Sequence, residues 1–291
     1  MSAMPPCPLP QRRERAQVTP EANPDPAMTR RARLLLAILP AAALLAAPAS
    51  AQEAGDVHAP WDAFLAEYVV TADGMNRVRY GAVTDANHAA LKGYIDALET
   101  LTPSTMGPDE QLAYYFNLYN AAIVDVALDH YPLESIRSVG GRILPPRGPW
   151  KMDVVTVEGE ALSFDDIEHE RVRGTYDEPR VHYAFNCASI GCPDIASRAW
   201  RAETLDADLD AAARAFVAHP RGVSVDEGEG EIDASSIYKW FREDFGGSER
   251  GVLEHVAQYA TGSKLAAIQA AIESGEGIDD YDYDWDLNAA P

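Results

Sequence analysis

Apolar residues recur at helical spacing in several segments of the chain. Over residues 108–130 they form one stripe, as expected for a helix that packs one face on a core. Pro108 suits the first helical position, and Asp109 and Glu110 suit the first turn. The same spacing predicts helices over residues 61–70, 87–101, 204–219, 249–260 and 263–273, and shorter helices from Ser163 to about Arg173 and after Ser235.

Short runs of β-branched residues lie between these helices. Residues 151–157 and 160–163 predict two strands joined by a turn at Glu158 and Gly159. A second hairpin is predicted from residues 223–225 and 231–233, and the period of two in residues 281–288 predicts an extended segment with aromatic and acidic faces. The pattern predicts an α+β fold, a helix-rich single domain around a small, mainly antiparallel sheet.

The chemistry-bearing stretch is PRVHYAFNCASIGCPD, residues 179–194. Its β-branched and aromatic composition predicts a buried strand over residues 181–186. Small residues follow from Cys187, and Pro193 cannot continue a ladder of backbone hydrogen bonds. We therefore expect His182 on the strand and Cys187 and Cys192 in a tight turn at its end.

The N-terminal residues predict secretion rather than a fold. Residues 28–51 combine a basic start, an apolar run and a small-residue cleavage site, as in a signal peptide. Residues 1–27, with Cys7, precede that start and are interpreted as upstream of the true initiator, Met28. The expected mature chain is a single domain, residues 52–291, that is secreted or periplasmic and carries only Cys187 and Cys192.

The charge balance narrows the range of partners. The chain has 24 Lys and Arg against 46 Asp and Glu, a formal net charge of −22. This excess of acid argues against nucleic acid and anionic membrane surfaces as partners. No segment after the signal peptide is apolar enough to span a bilayer, so we expect no stable membrane insertion after cleavage. We expect no bound cofactor, and the substrate could be a small molecule, a peptide or an envelope polymer.

Six motifs, read in chain order, resemble the domain-of-unknown-function 547 family. They are Asn117–Ala121, Gly148–Trp150, Phe164–His169, Val181–Pro193, Ile237–Phe241 and Tyr283–Asn288. The resemblance covers about residues 60–288. It implies a secreted bacterial member of the family and supplies no reaction. Carried over residue by residue, it points to Glu168, His169, His182, Cys187 and Cys192.

The leading interpretation is a thiol-dependent hydrolase of ester, amide or peptide bonds. Cys187 would be the nucleophile, with His182 or His169 as base and Glu168 beside them. A regular strand would place His182 about 16 Å from Cys187, so the base would have to come from elsewhere or the chain would have to turn back. A helix antiparallel to the strand would instead gather Glu168, His169 and His182, with the thiol at the rim of the cluster.

Two other interpretations stay open. The first is a binding or interaction module, or a hydrolase that uses other groups, with a Cys187–Cys192 disulfide formed in an oxidising compartment. The second is a zinc site built from His169, His182 and the two cysteines, although their spacing is not a strong zinc pattern. No metal ligand is assigned.

Two amides on the long predicted helix are further candidates for a binding role. Asn117 and Asn120 lie three residues apart beside its buried stripe. A buried amide needs hydrogen-bond partners. They would either bind substrate or bond to a neighbouring loop.

Overall fold

The computed structural model describes residues 56–140, 148–226, 228 and 230–291. Its first half is built from three helices and one hairpin. In chain order these are α1 (Ala59–Tyr68), β1 (Val69–Ala72), β2 (Met75–Val78), α2 (Asp85–Glu99) and α3 (Pro108–Asp129). Thr84 caps α2 by accepting a hydrogen bond from the Asn87 N–H, and Pro108 opens α3. The helices predicted over residues 61–70, 87–101 and 108–130 are therefore confirmed within a few residues.

The middle of the chain presents a hairpin followed by an unusual helix. Strands β3 (Asp153–Val157) and β4 (Glu160–Ser163) pair antiparallel across a turn in which Glu158 and Gly159 have φ of 51° and 84°. The helix that follows widens into a π-helix, Asp166–Arg173. At its start Ser163 Oγ accepts from the Asp166 N–H, and the Asp166 carboxylate accepts from the Ser163 N–H. This reciprocal cap explains the predicted helix start.

The predicted strand over residues 181–186 is wrong. Pro179–Tyr183 is a 3₁₀ helix, with hydrogen bonds from Val181 N to Glu178 O and from Ala184 N to Val181 O. Proline suits the first turn of a helix, and among the described residues no strand pairs with this segment. Its β-branched and aromatic side chains pack in the interior of the protein without a sheet, so composition alone misassigned it.

In the second half of the chain, the described residues form four α-helices and a three-stranded sheet. They are α4 (Leu205–Ala218), β5 (Val223–Val225), β6 (Ile232–Ser235), α5 (Ser236–Trp240), α6 (Glu249–Val256), α7 (Gly262–Ser274) and β7 (Asp280–Asp282). Strand β6 pairs antiparallel with β5 and parallel with β7. The described residues thus carry three small sheets rather than one, within a helix-rich α+β fold as expected.

Residues 280–289 lie across the body, as the period of two predicted. Beyond β7, Leu287 bridges to Ser189 and Ala289 bridges to Val78. Tyr281, Tyr283 and Trp285 are half-buried, whereas the intervening aspartates are exposed. The segment therefore joins the turn of the two cysteines to the N-terminal hairpin. We call residues 280–289 the C-terminal strap.

Two hydrophobic clusters form the interior of the described region, and residues 54–291 make one compact unit. The first cluster surrounds α1, α2 and α3, and the second surrounds α4, α6 and β6. Val181 and Ala184 belong to the first, while Tyr183 belongs to the second. The 3₁₀ helix that carries His182 therefore lies where the two clusters meet.

Within the described residues, no helix is both long and apolar enough to cross a bilayer. The predicted signal peptide, residues 28–51, and residues 1–27 lie outside the described residues.

Candidate functional site

A cavity of about 150 Å³ opens beside the 3₁₀ helix. Its walls carry Glu168 and His169 from the π-helix, His182 from the 3₁₀ helix, and Cys187 and Cys192 from the following turn. These are the five residues that the family resemblance singled out, and the structure brings them to one place. The other lining residues are Tyr119, Trp150, Asp165, Phe185, Pro193, Ile237, Trp240, Phe241, Tyr283 and Trp285.

Glu168 is the acid at the centre of this wall. Its side chain is 15% exposed, and its Oε1 lies 3.7 Å from His182 Nδ1. That distance exceeds hydrogen-bond length, and no described residue donates a hydrogen bond to the Glu168 carboxyl. Burial raises the pKa of Glu168 to about 7, with Asp165 and Asp244 adding to the rise and Arg173 opposing it. In a large fraction of the protein molecules, Glu168 therefore keeps its proton at neutral pH.

His182 is held from its other side by Asp244. His182 Nε2 lies 2.7 Å from Asp244 Oδ2, and Arg173 Nε donates to the same oxygen at 2.6 Å. Burial alone would raise the pKa of Asp244, but the two hydrogen bonds outweigh it and bring the pKa to about 2. The Asp244 carboxylate accepts a hydrogen bond from Nε2–H, which leaves the unprotonated Nδ1 of His182 facing Glu168.

His169 is neutral and fixed by the same arginine. Arg173 Nη1 donates to His169 Nδ1 at 2.9 Å, so the ring proton lies on Nε2, 3.8 Å from Asp165 Oδ1. Burial, with Arg173 and His182 nearby, lowers the pKa of His169 to about 4. Burial also lowers the pKa of His182, against the opposing pull of Asp244. Neither imidazole is a cation at neutral pH.

Cys187 and Cys192 form a disulfide at the edge of the cavity, with sulfur atoms 2.20 Å apart and Cα atoms 6.1 Å apart. Tyr283 Oη lies 3.0 Å from Cys187 Sγ and 3.1 Å from Cys192 Sγ, and Ser189 Oγ lies 3.0 Å from that hydroxyl. No hydrogen bond joins either sulfur to a histidine among the described residues. The geometry thus places the sulfurs against the C-terminal strap and gives them no imidazole base.

Asn117 and Asn120 do not line the cavity. Asn120 Nδ2 donates to Ala184 O at 2.8 Å, and its Oδ1 accepts from Asn186 N at 2.9 Å. Asn117 makes the same pair of bonds to the backbone of Trp200. Each amide is therefore engaged with a loop, which matches the second of the two roles considered for them. The Asn120 pair anchors the segment between His182 and Cys187.

Aromatic rings form most of the apolar wall. Trp285 lies 4.6 Å from Tyr283, 5.6 Å from Trp240 and 6.3 Å from Trp150, measured between ring centroids. Trp240 also contacts Tyr283 at 4.8 Å. We call these four residues the aromatic wall. Its members come from a loop, from α5 and from the C-terminal strap, so distant parts of the chain build one surface.

The structure does not gather His169, His182 and the two cysteines into a close ligand set. Within the described residues, the three side chains with ligand atoms inside 4.8 Å of one another are His88, Asp125 and Asp129, between α2 and α3. Lys92 Nζ donates to both aspartates, at 3.0 and 2.9 Å. Lys92 pairs with both carboxylates, and His88 Nε2 lies 2.6 Å from Asp125 Oδ1, so the side chains of this cluster already have partners in one another.

A larger and more open cleft of about 340 Å³ is lined by Asp244, Arg250, Glu254 and His255. Glu168, the disulfide and the aromatic wall do not line it. The larger cleft also has two groups of lowered pKa, Asp244 and His255. The smaller cavity combines Glu168, whose pKa is raised, with two imidazoles of lowered pKa and an apolar wall, so it is the better candidate for chemistry.

A family model described as "Protein of unknown function, DUF547" matches residues 103–217. This confirms the resemblance and assigns that segment to the family. The match contains Glu168, His169, His182 and both cysteines, but not the motifs at residues 237–241 and 283–288. Neither the comparison with curated proteins nor the comparison with solved structures found a match.

Several groups of the site were not predicted from the sequence. Asp244 is 62 residues from His182 and lies in a segment, Arg242–Gly247, with no recognisable catalytic pattern. Arg173 and Asp165 were assigned only to a helix. The tryptophans had a usable signal, since Trp150, Trp240 and Trp285 each fall within a motif of the family resemblance.

Proposed function

We propose that the chain is a hydrolase in which Glu168, rather than a cysteine thiolate, is the proton-transfer group. The observation that carries this proposal is the placement of Glu168: a largely buried carboxyl that lines a cavity and receives no hydrogen bond from the described residues. Such a group is costly for folding unless it serves a ligand or a reaction. The raised pKa supports the same role, because an acid near pH 7 can both give and take a proton.

The neighbouring residues suit this assignment. A protonated Glu168 donates its proton to the leaving-group oxygen or nitrogen of the substrate as that bond breaks. Asp165, on the same face of the helix and also on the cavity wall, accepts a proton from the attacking water. His182 Nδ1 faces Glu168 as an acceptor, and Asp244 fixes that orientation. His182 and Asp244 are thus positioning residues, and Glu168 and Asp165 carry the chemistry.

The thiol-dependent hydrolase remains the rival mechanism, and the binding module is the rival class. The disulfide leaves no thiolate in the oxidised protein, and neither sulfur has an imidazole partner. The thiol mechanism would therefore require reduction and a rearrangement of the turn. A pure binding protein would not require a carboxyl of raised pKa facing His182.

The test is hydrolysis of a panel of fluorogenic esters, amides and glycosides by protein produced in the periplasm, with and without reductant. We expect Glu168→Gln to lower kcat by roughly 10²- to 10⁴-fold, as for loss of a general acid. The double variant Cys187→Ala/Cys192→Ala should retain activity. Glu254→Gln, an exposed acid of the larger cleft, is the matched control and should act like the wild type.

The rival outcomes are distinct. Full activity in Glu168→Gln, with loss in the double cysteine variant, would establish the thiol mechanism instead. No turnover of any class of substrate, together with ligand binding, would favour the binding module.

The proposal includes a secreted or periplasmic location for the mature chain. A disulfide at the site is stable in an oxidising compartment and rare in the cytosol. Fractionation of the producing bacterium, with mass analysis of the N-terminus, tests this. We expect cleavage after Ala51 and the protein outside the cytosol.

A further inference from the structure

We propose that the ligand of this cavity is a neutral saccharide, with a sugar ring stacked on the aromatic wall next to Glu168. The reaction part of this inference rests on the proposed function, but the binding part does not. The juxtaposition that points to it is a run of four adjoining aromatic rings beside two carboxyl groups, Glu168 and Asp165, in one small cavity.

The aromatic wall offers flat apolar faces that are partly open. Trp240 is 43% exposed although it contacts both Tyr283 and Trp285. Exposed tryptophan costs free energy in a protein that binds nothing there, because its large apolar face remains in water. A sugar ring can cover such an exposed face, because its axial C–H groups form an apolar surface that packs on an aromatic ring.

The groups on and around the cavity wall disfavour charged ligands. Arg173 and Arg137 do not line the cavity, but Arg173 lies over Phe241 at 4.6 Å and Arg137 lies over Trp285 at 5.0 Å. One face of each of these two rings is therefore already in contact with a guanidinium group rather than free for a cationic ligand. The Asp165 side chain on the cavity wall and the formal net charge of −22 disfavour an anion. A neutral ligand with hydroxyl groups can form hydrogen bonds with Glu168 and Asp165 and carries no charge that these surroundings disfavour.

The size of the cavity fits one ring rather than a long chain. The volume of about 150 Å³ is below the roughly 300–1,000 Å³ of pockets that take drug-sized ligands. One sugar unit can lie inside, and the exposed Trp240 at the surface can contact the next unit. We therefore expect short oligosaccharides to bind better than monosaccharides.

For such a ligand the bond that breaks is the glycosidic C–O bond. Glu168 gives its proton to the glycosidic oxygen, which leaves as an alcohol with the bonding electron pair. A water molecule forms the new C–O bond and transfers one proton to Asp165. Glu168 ends as a carboxylate and Asp165 as an acid, and exchange with solvent restores both. Water is the only co-reactant.

The experiment measures binding by calorimetry with three tetrasaccharides as probes, built from β-1,4-glucose, α-1,4-glucose and β-1,4-N-acetylglucosamine. Tetramethylammonium chloride and a tetragalacturonate serve as the cationic and anionic comparisons. The variants are Trp240→Ala, Trp240→Phe and the control Tyr131→Ala, which removes an aromatic side chain of similar exposure (41%) that does not line the cavity.

We expect at least one neutral tetrasaccharide to bind, with affinity lowered ten-fold or more in Trp240→Ala. Trp240→Phe should recover most of that loss, because it restores an aromatic face, and Tyr131→Ala should bind normally. Thermal unfolding of each variant checks that the fold is retained. Preference for tetramethylammonium or tetragalacturonate, or no binding of any tetrasaccharide by wild-type protein, would overturn the inference.

Glu168→Gln separates this inference from the proposed function. Saccharide binding that survives this substitution, with turnover lost, supports both. Saccharide binding without turnover in the wild type supports the ligand class and contradicts the hydrolase. Turnover of esters or amides by wild type without saccharide binding supports the hydrolase and contradicts the ligand class.

Discussion

His182 and Asp244, 62 residues apart in the chain, are joined by a 2.7 Å contact between Nε2 and Oδ2. Since Asp244 also accepts from Arg173, its carboxylate is held by two donors and fixes the imidazole in one orientation. The free nitrogen of that ring, Nδ1, then faces Glu168. The cluster thereby fixes the imidazole that lies 3.7 Å from Glu168, the acid that we assign to the chemistry.

Removing this anchor should destabilise the protein. Asp244→Asn weakens the contacts to His182 and Arg173, both largely buried, and we expect it to cost about 2 kcal/mol of unfolding free energy. The pKa of Asp244 is below its usual value, so its contribution is present above about pH 4 and is lost as the pH falls toward 2. Urea unfolding between pH 5 and 8 should therefore give a constant difference from wild type.

Asp208→Asn is the matched control, because Asp208 pairs with an arginine that is 52% exposed. Its cost should stay below about 1 kcal/mol. Equal costs for the two substitutions would contradict a special role for Asp244.

The pH dependence of stability that we predict from the raised pKa of Glu168 is opposite to that of Asp244. Between about pH 4.5 and 7 the unfolded chain loses the proton of Glu168 while the native protein keeps it, so stability falls as the pH rises. The full effect corresponds to about 3 kcal/mol. Glu168→Gln removes this titration and should be more stable than wild type at pH 8 by up to that amount, with no such gain from the titration at pH 4.

Urea unfolding at both pH values measures the effect of Glu168→Gln. Glu254→Gln, on an exposed carboxyl, should show the same small difference at both. A difference for Glu168→Gln that does not change with pH would show that the carboxyl titrates normally.

The disulfide predicts the number of free thiols in the protein. Protein cleaved after Ala51 contains only Cys187 and Cys192, so thiol titration of the denatured protein should find no free thiol before reduction and two afterwards. Because the closed loop is short, the double variant Cys187→Ala/Cys192→Ala should lose only about 2 kcal/mol of stability. Two free thiols in unreduced protein would show that Cys187 and Cys192 are not joined by a disulfide.

Asn120 should be important for folding rather than for ligand contact. Asn120→Ala leaves the buried Ala184 carbonyl and Asn186 N–H without their partners, which costs about 3 kcal/mol in total. Gln258→Ala, on an exposed amide, should change stability by less than about 0.5 kcal/mol. A normal unfolding free energy for Asn120→Ala, together with weaker ligand binding, would assign this amide to the binding site instead.

Gly191 should be required for docking of the C-terminal strap. A Cβ at this position would lie 2.9 Å from both the backbone N and O of Asp284, which cannot move without shifting the strap. We expect Gly191→Ala to increase protease cleavage within residues 280–289. Gly93→Ala, in α2 with open space around it, should instead stabilise the protein by about 0.5–1 kcal/mol. Equal protease resistance in the two variants would contradict the close contact.

The sequence predicted most of the secondary structure because local signals agreed with the final packing. Pro108 with its acidic first turn marked α3, and Glu158–Gly159 marked the β3–β4 turn. The alternation of Tyr281, Tyr283 and Trp285 with aspartates marked the C-terminal strap. In each case burial of the apolar positions and the local backbone preference favour the same conformation.

In residues 181–186 the local sequence signal and the final structure disagree. Apolar strands and buried 3₁₀ segments share the same composition, and the choice depends on partners elsewhere in the chain. This segment obtains its bonds from Asn120 on α3 and from Asn288, which donates to the Asn186 side chain. The error then carried over to the His182–Cys187 distance argument, because that argument assumed a regular strand.

Only part of the candidate site could be predicted from the sequence. The motifs at residues 164–169 and 181–193 contain most of its polar groups. Three other motifs of the family resemblance each contain one of the tryptophans of the aromatic wall. The role of Asp244 depends on α5 and the following turn folding back onto His182, a contact that no local pattern encodes. The relation between Glu168 and His182 likewise follows from the meeting of two hydrophobic clusters.

The C-terminal strap has a consequence for the order in which the cavity is assembled during synthesis. Glu168 and His182 leave the ribosome about a hundred residues before Tyr283 and Trp285, which complete their cavity. While residues 280–289 are still inside the ribosome, Tyr283 and Trp285 cannot line the cavity, so its wall is incomplete on that side. The nascent chain therefore carries Glu168 and His182 early, but their cavity is complete only when that segment has docked.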